Sequence, residues 1–221
     1  MAIEGESHSK ITAADFGASQ IRGKTMNEKE QFVALLKATG RKGIDQVISN
    51  LETLGFFEAP ASTKFHGSYA GGLLAHSMNV LKEAQLVREA QIKLRPELEG
   101  KLPMDSIVIA ALLHDVCKAE IYKETKKFRK DANGKWEEYE AYGVDHTHFP
   151  VGHGEKSVIR LLCWGLEMTE DEILAIRWHM SGFEIPPGGS GMSNYSAANE
   201  KAPLLSILIA ADILASQLLE K

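Results

Sequence analysis

The stretch MDSIVIAALLHDVCKAE, residues 104–120, decides the fold that we expect for this chain. From Ile107 to Leu113 it has no polar residue, which is typical of a helix buried on all sides at the centre of a domain. His114 and Asp115 then follow within these apolar surroundings. Because an unpaired charge is costly to bury, the pair is predicted either to be satisfied by hydrogen bonds or to bind a metal ion.

The bulk composition excludes several classes of protein. The chain has 221 residues, 44% hydrophobic and 25% charged, which predicts a soluble globular protein with room for one large domain or two small ones. The net charge of −5 argues against a broad surface that coats nucleic acid, because such surfaces are normally basic. Cys117 and Cys163 both stand in apolar helical surroundings and are too few for a disulfide framework, so we expect the cytoplasm. No segment predicts a signal peptide or a membrane span, so no membrane partner is expected.

Apolar residues recur at helical spacing along most of the chain. Two of the predicted helices open on a capping box, Asn27 with Glu30 and Thr169 with Glu172. The segments predicted to be helical are 27–40, 44–60 with a break at Gly55, 73–94, 104–120, 157–167, 169–180 and 204–220. We therefore predict an all-α fold, with residues 1–26 as a flexible tail and residues 27–221 as a single domain.

Two segments depart from the helical pattern. Residues from about 121 to 143 place aromatic and charged side chains on both sides of Asn133-Gly134, a dipeptide typical of hairpin turns, so we predict a small inserted β-hairpin. Residues 183–200 are rich in glycine, proline and serine and are predicted to form a long loop. Because such loops are often active-site lids, we expect Asn194 and Tyr195 to cover a pocket, with Tyr195 binding substrate.

Potential metal ligands are spread over several predicted helices. A helical bundle can aim such side chains at one point between its helices. The candidates are His76, the pair His114 and Asp115, His179 and Asp212 on four helices, and His153 at the start of a fifth. Histidines with two carboxylates suit Zn, Mn, Fe, Ni or Co better than Ca, and could hold two ions with one aspartate bridging. Two ions roughly 3.5–4 Å apart can generate a hydroxide and clamp a phosphoryl group.

Several polar residues fit an ordinary structural role better. Any one of these histidines alone would more often be a hydrogen-bonded core residue than a ligand, so the prediction rests on the joint pattern. His8, in the tail, and His146 and His148, after the hairpin, are not expected to bind metal. Cys117 is interpreted as a packing residue, because its neighbours are apolar.

The same motifs carry a resemblance to a known family. The order His76, His114-Asp115, Asp212 resembles the HD-domain superfamily of metal-dependent phosphohydrolases, and HDVCK is similar to its HD-x-x-K signature. The segment FHGSYAGGLLAHSMNV resembles the loop and helix that carry the first histidine in the branch of HD-type 3′-5′ exoribonucleases. The resemblance covers roughly residues 60–220. Residues 1–60 do not resemble the OB domain usual in that branch.

The resemblance implies an HD-domain helical bundle that binds one or two divalent ions, with Mn, Fe, Ni, Co, Zn and Mg as candidates. It implies His76, His114, Asp115 and Asp212 as ligands, with Asp115 bridging when two ions are present. His153 and His179 correspond to the histidines that serve the second ion. Lys118 corresponds to a lysine that contacts the substrate phosphate or orients the nucleophilic water. His66 corresponds to a residue that touches substrate.

We therefore expect a phosphohydrolase that cleaves a phosphate ester through a metal-bound hydroxide, with Asp115 and Lys118 as catalytic residues. The expected partner is a small phosphorylated substrate, a nucleotide or a short nucleic acid. Two alternatives remain open at this point. One is a di-iron HD-type oxygenase, and the other is a non-catalytic metal-containing module that binds a nucleotide.

Overall fold

The computed structural model describes residues 20–21, 24–145, 147–181, 185 and 189–220. Within these residues the chain is a bundle of nine α-helices with one long β-hairpin, which confirms the predicted all-α class and hairpin insert although the sequence predicts only seven helical segments. The helices are α1 Glu28–Ala38, α2 Ile44–Leu54, α3 Gly72–Leu94, α4 Met104–Leu113, α5 Lys118–Ile121, α6 His153–Cys163, α7 Glu170–Trp178, α8 Gly191–Lys201 and α9 Pro203–Leu214. A 3-10 helix, Pro96–Lys101, precedes α4, and a π-helical turn, Ala215–Leu219, continues α9.

The two predicted capping boxes are both present. The Oδ1 of Asn27 accepts a hydrogen bond from the Glu30 amide at 2.9 Å, and Glu30 accepts one from the Asn27 amide at 2.9 Å. Thr169 and Glu172 make the same reciprocal pair at the start of α7, at 3.2 and 2.9 Å. These local bonds satisfy amide groups that have no partner within the helix, which is why the two starts could be read from sequence.

Helix α4 lies at the centre of the bundle. Every residue from Ser106 to Leu113 is buried, and the helix contacts α1, α3, α7 and α9. Removal of this apolar surface from water is the main force that holds α4 between its neighbours. The central position predicted for the helix of residues 104–120 is thus confirmed for its first part, Met104–Leu113.

The prediction of one continuous helix through residue 120 is wrong. Helix α4 ends at Leu113, and the next four residues follow tighter turns before α5. The amide of Lys118 donates to the carbonyl of Asp115 at 2.9 Å, and the amide of Val116 donates to that of Leu113 at 3.4 Å. Both bonds span three residues, as in a 3-10 helix. Lys118 therefore lies beside Asp115 and not one α-helical turn beyond His114.

The inserted hairpin is confirmed. Strands β3 Tyr122–Lys130 and β4 Trp136–Val144 pair in antiparallel register, with Tyr122 opposite Val144 and Lys130 opposite Trp136. The strands close through a hydrogen bond from the Asp131 amide to the Lys135 carbonyl at 2.8 Å. Gly134 adopts a φ of 79°, which a glycine allows without strain and which explains the turn signal.

The prediction of a loop over residues 183–200 is wrong for the second half of that segment. Residues Gly191–Lys201 form α8, and Ala198 on that helix is buried. Tyr195 packs its ring 5.9 Å from the ring of Trp178, beside the core. Tertiary contact therefore stabilises a helix that its glycine, serine and asparagine residues disfavour. Residues 182–184 and 186–188 lie outside the described part of the chain.

The predicted tail and the two cysteines differ in part from what the sequence indicates. Within the segment predicted as a tail, β1 Gln20–Ile21 pairs with β2 Lys24–Thr25, whereas residues 1–19 lie outside the described part. Cys163 is exposed, so the prediction of apolar surroundings is wrong for this residue. Cys117 is buried, as expected. Among the described residues no single helix is long and apolar enough to cross a membrane, although α8 and the α9 segment pass that test together as a pair bent by 102°.

A partly buried ion-pair network fixes the starts of α4 and α7. The guanidinium of Arg41 donates to both oxygens of Glu172, at 2.7 and 2.8 Å, and to Asp105 at 2.7 Å. Ser106 donates to Glu172 at 2.6 Å. Since α4 leads into His114 and α7 into His179, this network sets the relative position of two predicted ligands.

Candidate metal centre

The six predicted metal ligands converge on the carboxylate of Asp115 and its surroundings. The Oδ2 of Asp115 lies 3.2 Å from Nε2 of His114 and 3.5 Å from Nε2 of His76. The same oxygen lies 2.5 Å from Nζ of Lys118. Helix α9 brings Asp212 to this side, with its Oδ1 3.3 Å from Nε2 of His76. His76 of α3 and His114 after α4 thus lie around one oxygen of Asp115, with Asp212 of α9 beside Nε2 of His76.

The second oxygen of Asp115 faces a different pair of imidazoles. Its Oδ1 lies 2.5 Å from Nε2 of His153 and 3.4 Å from Nε2 of His179. His153 is the first residue of α6, and His179 follows the last residue of α7. One buried carboxylate is therefore shared between two groups of histidines.

The Nδ1 atoms of these histidines point away from Asp115 and have partners of their own. His114 donates through Nδ1 to the carbonyl of Ala111 at 2.9 Å, and His179 donates to that of Ile176 at 2.7 Å. Since a carbonyl oxygen only accepts, Nδ1 must carry the proton, and in the neutral ring Nε2 then has a free lone pair. The Nε2 atoms of His76, His114 and His179 are buried without a hydrogen-bond partner in the described part of the chain.

These features fit a metal ion. Two ligand atoms at about 2.1 Å from one tetrahedral ion are separated by about 3.4 Å, and the distances between Nε2 and carboxylate atoms are mostly of that size. Among the described residues, three sets of potential ligand atoms lie close enough together to share an ion. They are His76, His114 and Asp212; His114, Asp115 and His179; and His66, His76 and Glu220. Imidazole and carboxylate ligands together suit divalent transition metals.

The charges of the centre also fit a bound cation. Burial disfavours the ionised form of Asp115, but Lys118, His114 and His153 outweigh it and hold its pKa well below the usual range. Burial also disfavours charged His76, yet its carboxylate neighbours raise its pKa to about 10. A proton on His76 thus offsets negative charge that a bound cation would otherwise neutralise.

The remaining predicted residues lie at different distances from this cluster. The ring of His66 is 4.9 Å from that of His76, and burial lowers its pKa. His148 lies apart, where its Nε2 accepts a hydrogen bond from Arg160 at 3.2 Å. Burial raises the pKa of Cys117 to about 12, and its Sγ lies 3.1 Å from Nδ1 of His153. Tyr195 packs on Trp178, whereas His8 and His146 lie outside the described residues.

Sequence reasoning missed Glu220. Its carboxylate accepts a hydrogen bond from Nδ1 of His76 at 3.1 Å and another from the side-chain amide of Asn79 at 3.1 Å. The residue follows the π-helical turn, which directs the chain back towards α3. No sequence signal indicates this contact, because 144 positions separate Glu220 from His76.

Open space adjoins the cluster on two sides. A cavity of about 410 Å³ has His153, Cys117, Val144 and Lys156 among its lining residues. A second of about 510 Å³ is lined by Phe65, His66, Ser216, Gln217 and Glu220. Both volumes fall within the range typical of small-molecule sites. A small ligand therefore has room beside His153 and beside His66.

Comparison with known proteins shows that the chain is similar to a curated phosphodiesterase. The chain is 32% identical over 136 residues to the dihydroneopterin 2′,3′-cyclic phosphate phosphodiesterase of Methanocaldococcus jannaschii. The match covers 61% of this chain and 48% of the relative, so the chain spans about half the length of that protein. No family model and no solved structure matches the chain. The relative is a phosphodiesterase by name, which supports the phosphohydrolase expected from the sequence; it gives no support to the exoribonuclease-like branch, which stays a prediction.

Proposed function

We propose that this protein is a metal-dependent phosphohydrolase that cleaves a phosphate ester of a nucleotide-like small molecule. The observation that carries the proposal is the shared carboxylate of Asp115, with histidine Nε2 atoms around both of its oxygens and Lys118 at 2.5 Å. A carboxylate that faces two groups of histidines can serve two ions at once, and ions about 3.5–4 Å apart are typical of binuclear hydrolytic sites.

The two groups of ligands define two ion positions in this proposal. His76, His114 and Asp212, together with Asp115, would hold one ion. His153 and His179, together with Asp115, would hold the second. Asp115 would serve both ions. The backbone carbonyls that accept from Nδ1 of His114 and His179 fix both rings, as is usual for metal-bound histidine.

Bound divalent ions would make a water molecule nucleophilic near neutral pH and would offset charge that develops on the phosphoryl oxygens. Lys118 adds a positive charge that this chain supplies itself. Burial opposes its charged form, but Asp115, Tyr122 and Asp212 raise the pKa of Lys118, so it stays an ammonium at neutral pH. There it holds a phosphoryl oxygen by a charge-assisted hydrogen bond.

His66 contributes a neutral group beside the first ion position. Its lowered pKa keeps the ring uncharged near pH 7, and its Nε2 has no hydrogen-bond partner in the described part of the chain. A neutral imidazole can bind a hydroxyl or an ester oxygen of the substrate without repelling the nearby ions. Because the relative is named for dihydroneopterin 2′,3′-cyclic phosphate, a cyclic phosphodiester of a nucleotide-like molecule is the first substrate to test.

The first experiment measures metal per chain by elemental analysis of protein purified without added metal or chelator. We expect about two equivalents of a transition metal in the wild type and a loss of metal in Asp115→Asn. Asp45→Asn is the matched control, because Asp45 is an exposed carboxylate near the start of α2. One equivalent in the wild type would leave His153 and His179 without a metal role. No metal after reconstitution would contradict the proposal.

The second experiment measures hydrolysis of 2′,3′-cyclic nucleotides, 5′-nucleotides and short RNA by the metal-loaded protein. We expect cleavage of the cyclic diester, abolished by Asp115→Asn and retained by Asp45→Asn. Preferred cleavage of RNA would instead favour the exoribonuclease-like branch. Iron as the dominant metal together with oxygen uptake would identify an oxygenase. Tight nucleotide binding without any turnover would identify a binding module.

A further inference from the structure

A cavity of about 670 Å³ lies between the β3–β4 hairpin and the segment 63–70. Three tyrosines are among its lining residues, Tyr69 from the segment and Tyr139 and Tyr142 from β4. The volume falls in the range of about 300–1,000 Å³ that is typical of small-molecule sites. None of the residues assigned above to metal or phosphate lines it. The cavity is therefore a separate feature of the molecule.

The two chain segments that line this cavity both include or directly follow residues of the proposed metal centre. Strand β3 begins directly after α5, whose first residue is Lys118. The segment 63–70 contains His66, whose ring contacts that of His76. Backbone hydrogen bonds hold the segment at both ends. The amide of Ala61 donates to the carbonyl of Gly67 at 2.8 Å, and the amide of Gly72 donates to the carbonyl of Tyr69 at 2.9 Å. A molecule bound at the centre could therefore extend into the cavity.

The lining residues suit a flat aromatic ring with polar edges. Tyr139 and Tyr142 are half-buried, and Arg129 stacks 5.0 Å from the centroid of Tyr139 and steadies that ring. Lys64 and Lys127 also line the cavity, and neither is ion-paired within the described part of the chain. Glu124 and Glu140 supply acceptors. Tyrosine faces stack on heterocycles, while ammonium and carboxylate groups bind ring carbonyl and amino groups.

We propose that this cavity binds the planar heterocyclic base of the substrate while its phosphate ester lies at the metal centre. This inference rests on the proposed function and deepens it, because it restricts the substrate to esters that carry an aromatic base. The hairpin insert then has a role in substrate selection. An ester without a base would use the centre alone.

The test compares binding of 5′-GMP and ribose 5-phosphate by isothermal titration calorimetry on the metal-loaded full chain. We expect the wild type to bind 5′-GMP about 10- to 100-fold more tightly than ribose 5-phosphate, since stacking on tyrosine contributes an effect of this size. Tyr139→Leu and Tyr142→Leu should lose most of this preference, and Tyr139→Phe should keep it. Trp136→Leu is the control, because Trp136 is 64% exposed at the far end of the hairpin and does not line the cavity.

Two results would overturn the inference. One is a wild type with no preference for 5′-GMP over ribose 5-phosphate. The other is a Tyr139→Leu/Tyr142→Leu double variant that keeps the preference, including one whose affinity for both ligands falls by the same factor. Because the measured quantity is binding and not hydrolysis, a wild type that selects 5′-GMP but hydrolyses no ester would overturn the proposed function alone. Hydrolysis without base selection would overturn this inference alone.

Discussion

At the scale of the residue, the buried pair His114 and Asp115 is tolerated because opposite charges and fixed dipoles surround it. Asp115 has Lys118 at 2.5 Å and histidine Nε2 atoms around both oxygens. A buried carboxylate without these neighbours would be strongly destabilising. In the neutral rings of His114 and His179, Nε2 keeps an unprotonated lone pair that faces the carboxylate, which is why a bound cation suits the site better than hydrogen bonds alone.

Glu220 is the residue that we expect to orient His76. Its carboxylate accepts from Nδ1 of His76 and so directs Nε2 towards Asp115 and Asp212. Such carboxylate–histidine–metal arrangements typically contribute 10- to 100-fold to metal affinity. We therefore predict that Glu220→Gln weakens metal binding by about 10- to 100-fold. The measurement is competition with a chromophoric chelator.

Gln217→Ala is the matched control for Glu220→Gln, since Gln217 is exposed in the same π-helical turn and lines the same cavity. A purely structural role for Glu220 would lower the Tm of the metal-free and metal-loaded protein alike. The predicted role instead reduces the gain in Tm on adding metal. An unchanged chelator competition curve in Glu220→Gln would contradict the prediction.

At the scale of the element, the close approach of α6 and α7 depends on Gly154. A Cβ at this position would lie 2.5 Å from the carbonyl oxygen of Ile176 and 2.4 Å from that of Arg177. This approach brings the ring of His153 to 5.4 Å from that of His179. The glycine thus acts by letting two helices meet and not by an unusual backbone angle.

We predict that Gly154→Ala destabilises the protein by about 1–3 kcal/mol, because the added methyl group forces the two helices apart. For a chain of this size the Tm should fall by roughly 2–12 °C. The number of metal ions per chain should fall towards one, since His153 and His179 would separate. Calorimetry and elemental analysis measure the two effects. Gly100→Ala is the control, because its Cβ would meet nothing within 4 Å. The same Tm and the same metal content in the two variants would contradict the prediction.

At the scale of the whole molecule, the proposed metal centre joins α3, the α4–α5 turn, α6, α7 and α9. A ligand that binds only the folded state stabilises all the elements that it joins. Metal removal by a chelator is therefore predicted to lower the free energy of unfolding by about 4 kcal/mol when free metal was present at roughly 1,000 times its Kd.

The measurement is the Tm before and after chelation, with re-addition of metal to show reversal. Asp115→Asn serves as the control, because a protein that binds no metal should not respond to the chelator. If the wild type keeps its Tm although elemental analysis shows that the metal has left, the centre does not tie the bundle together.

Sequence by itself determined the helical class, two helix starts, the central position of residues 104–113, the hairpin and the types of residue in the centre. These features depend on local spacing, on capping and on the apolar character of single segments, all of which act over a few positions. The break after Leu113, helix α8 and the packing of Tyr195 on Trp178 depended on tertiary contacts, which override weak local preferences. Only the folded chain could show which oxygen of Asp115 faces which histidine, or that Glu220 meets His76, because these contacts join residues that are up to 144 positions apart.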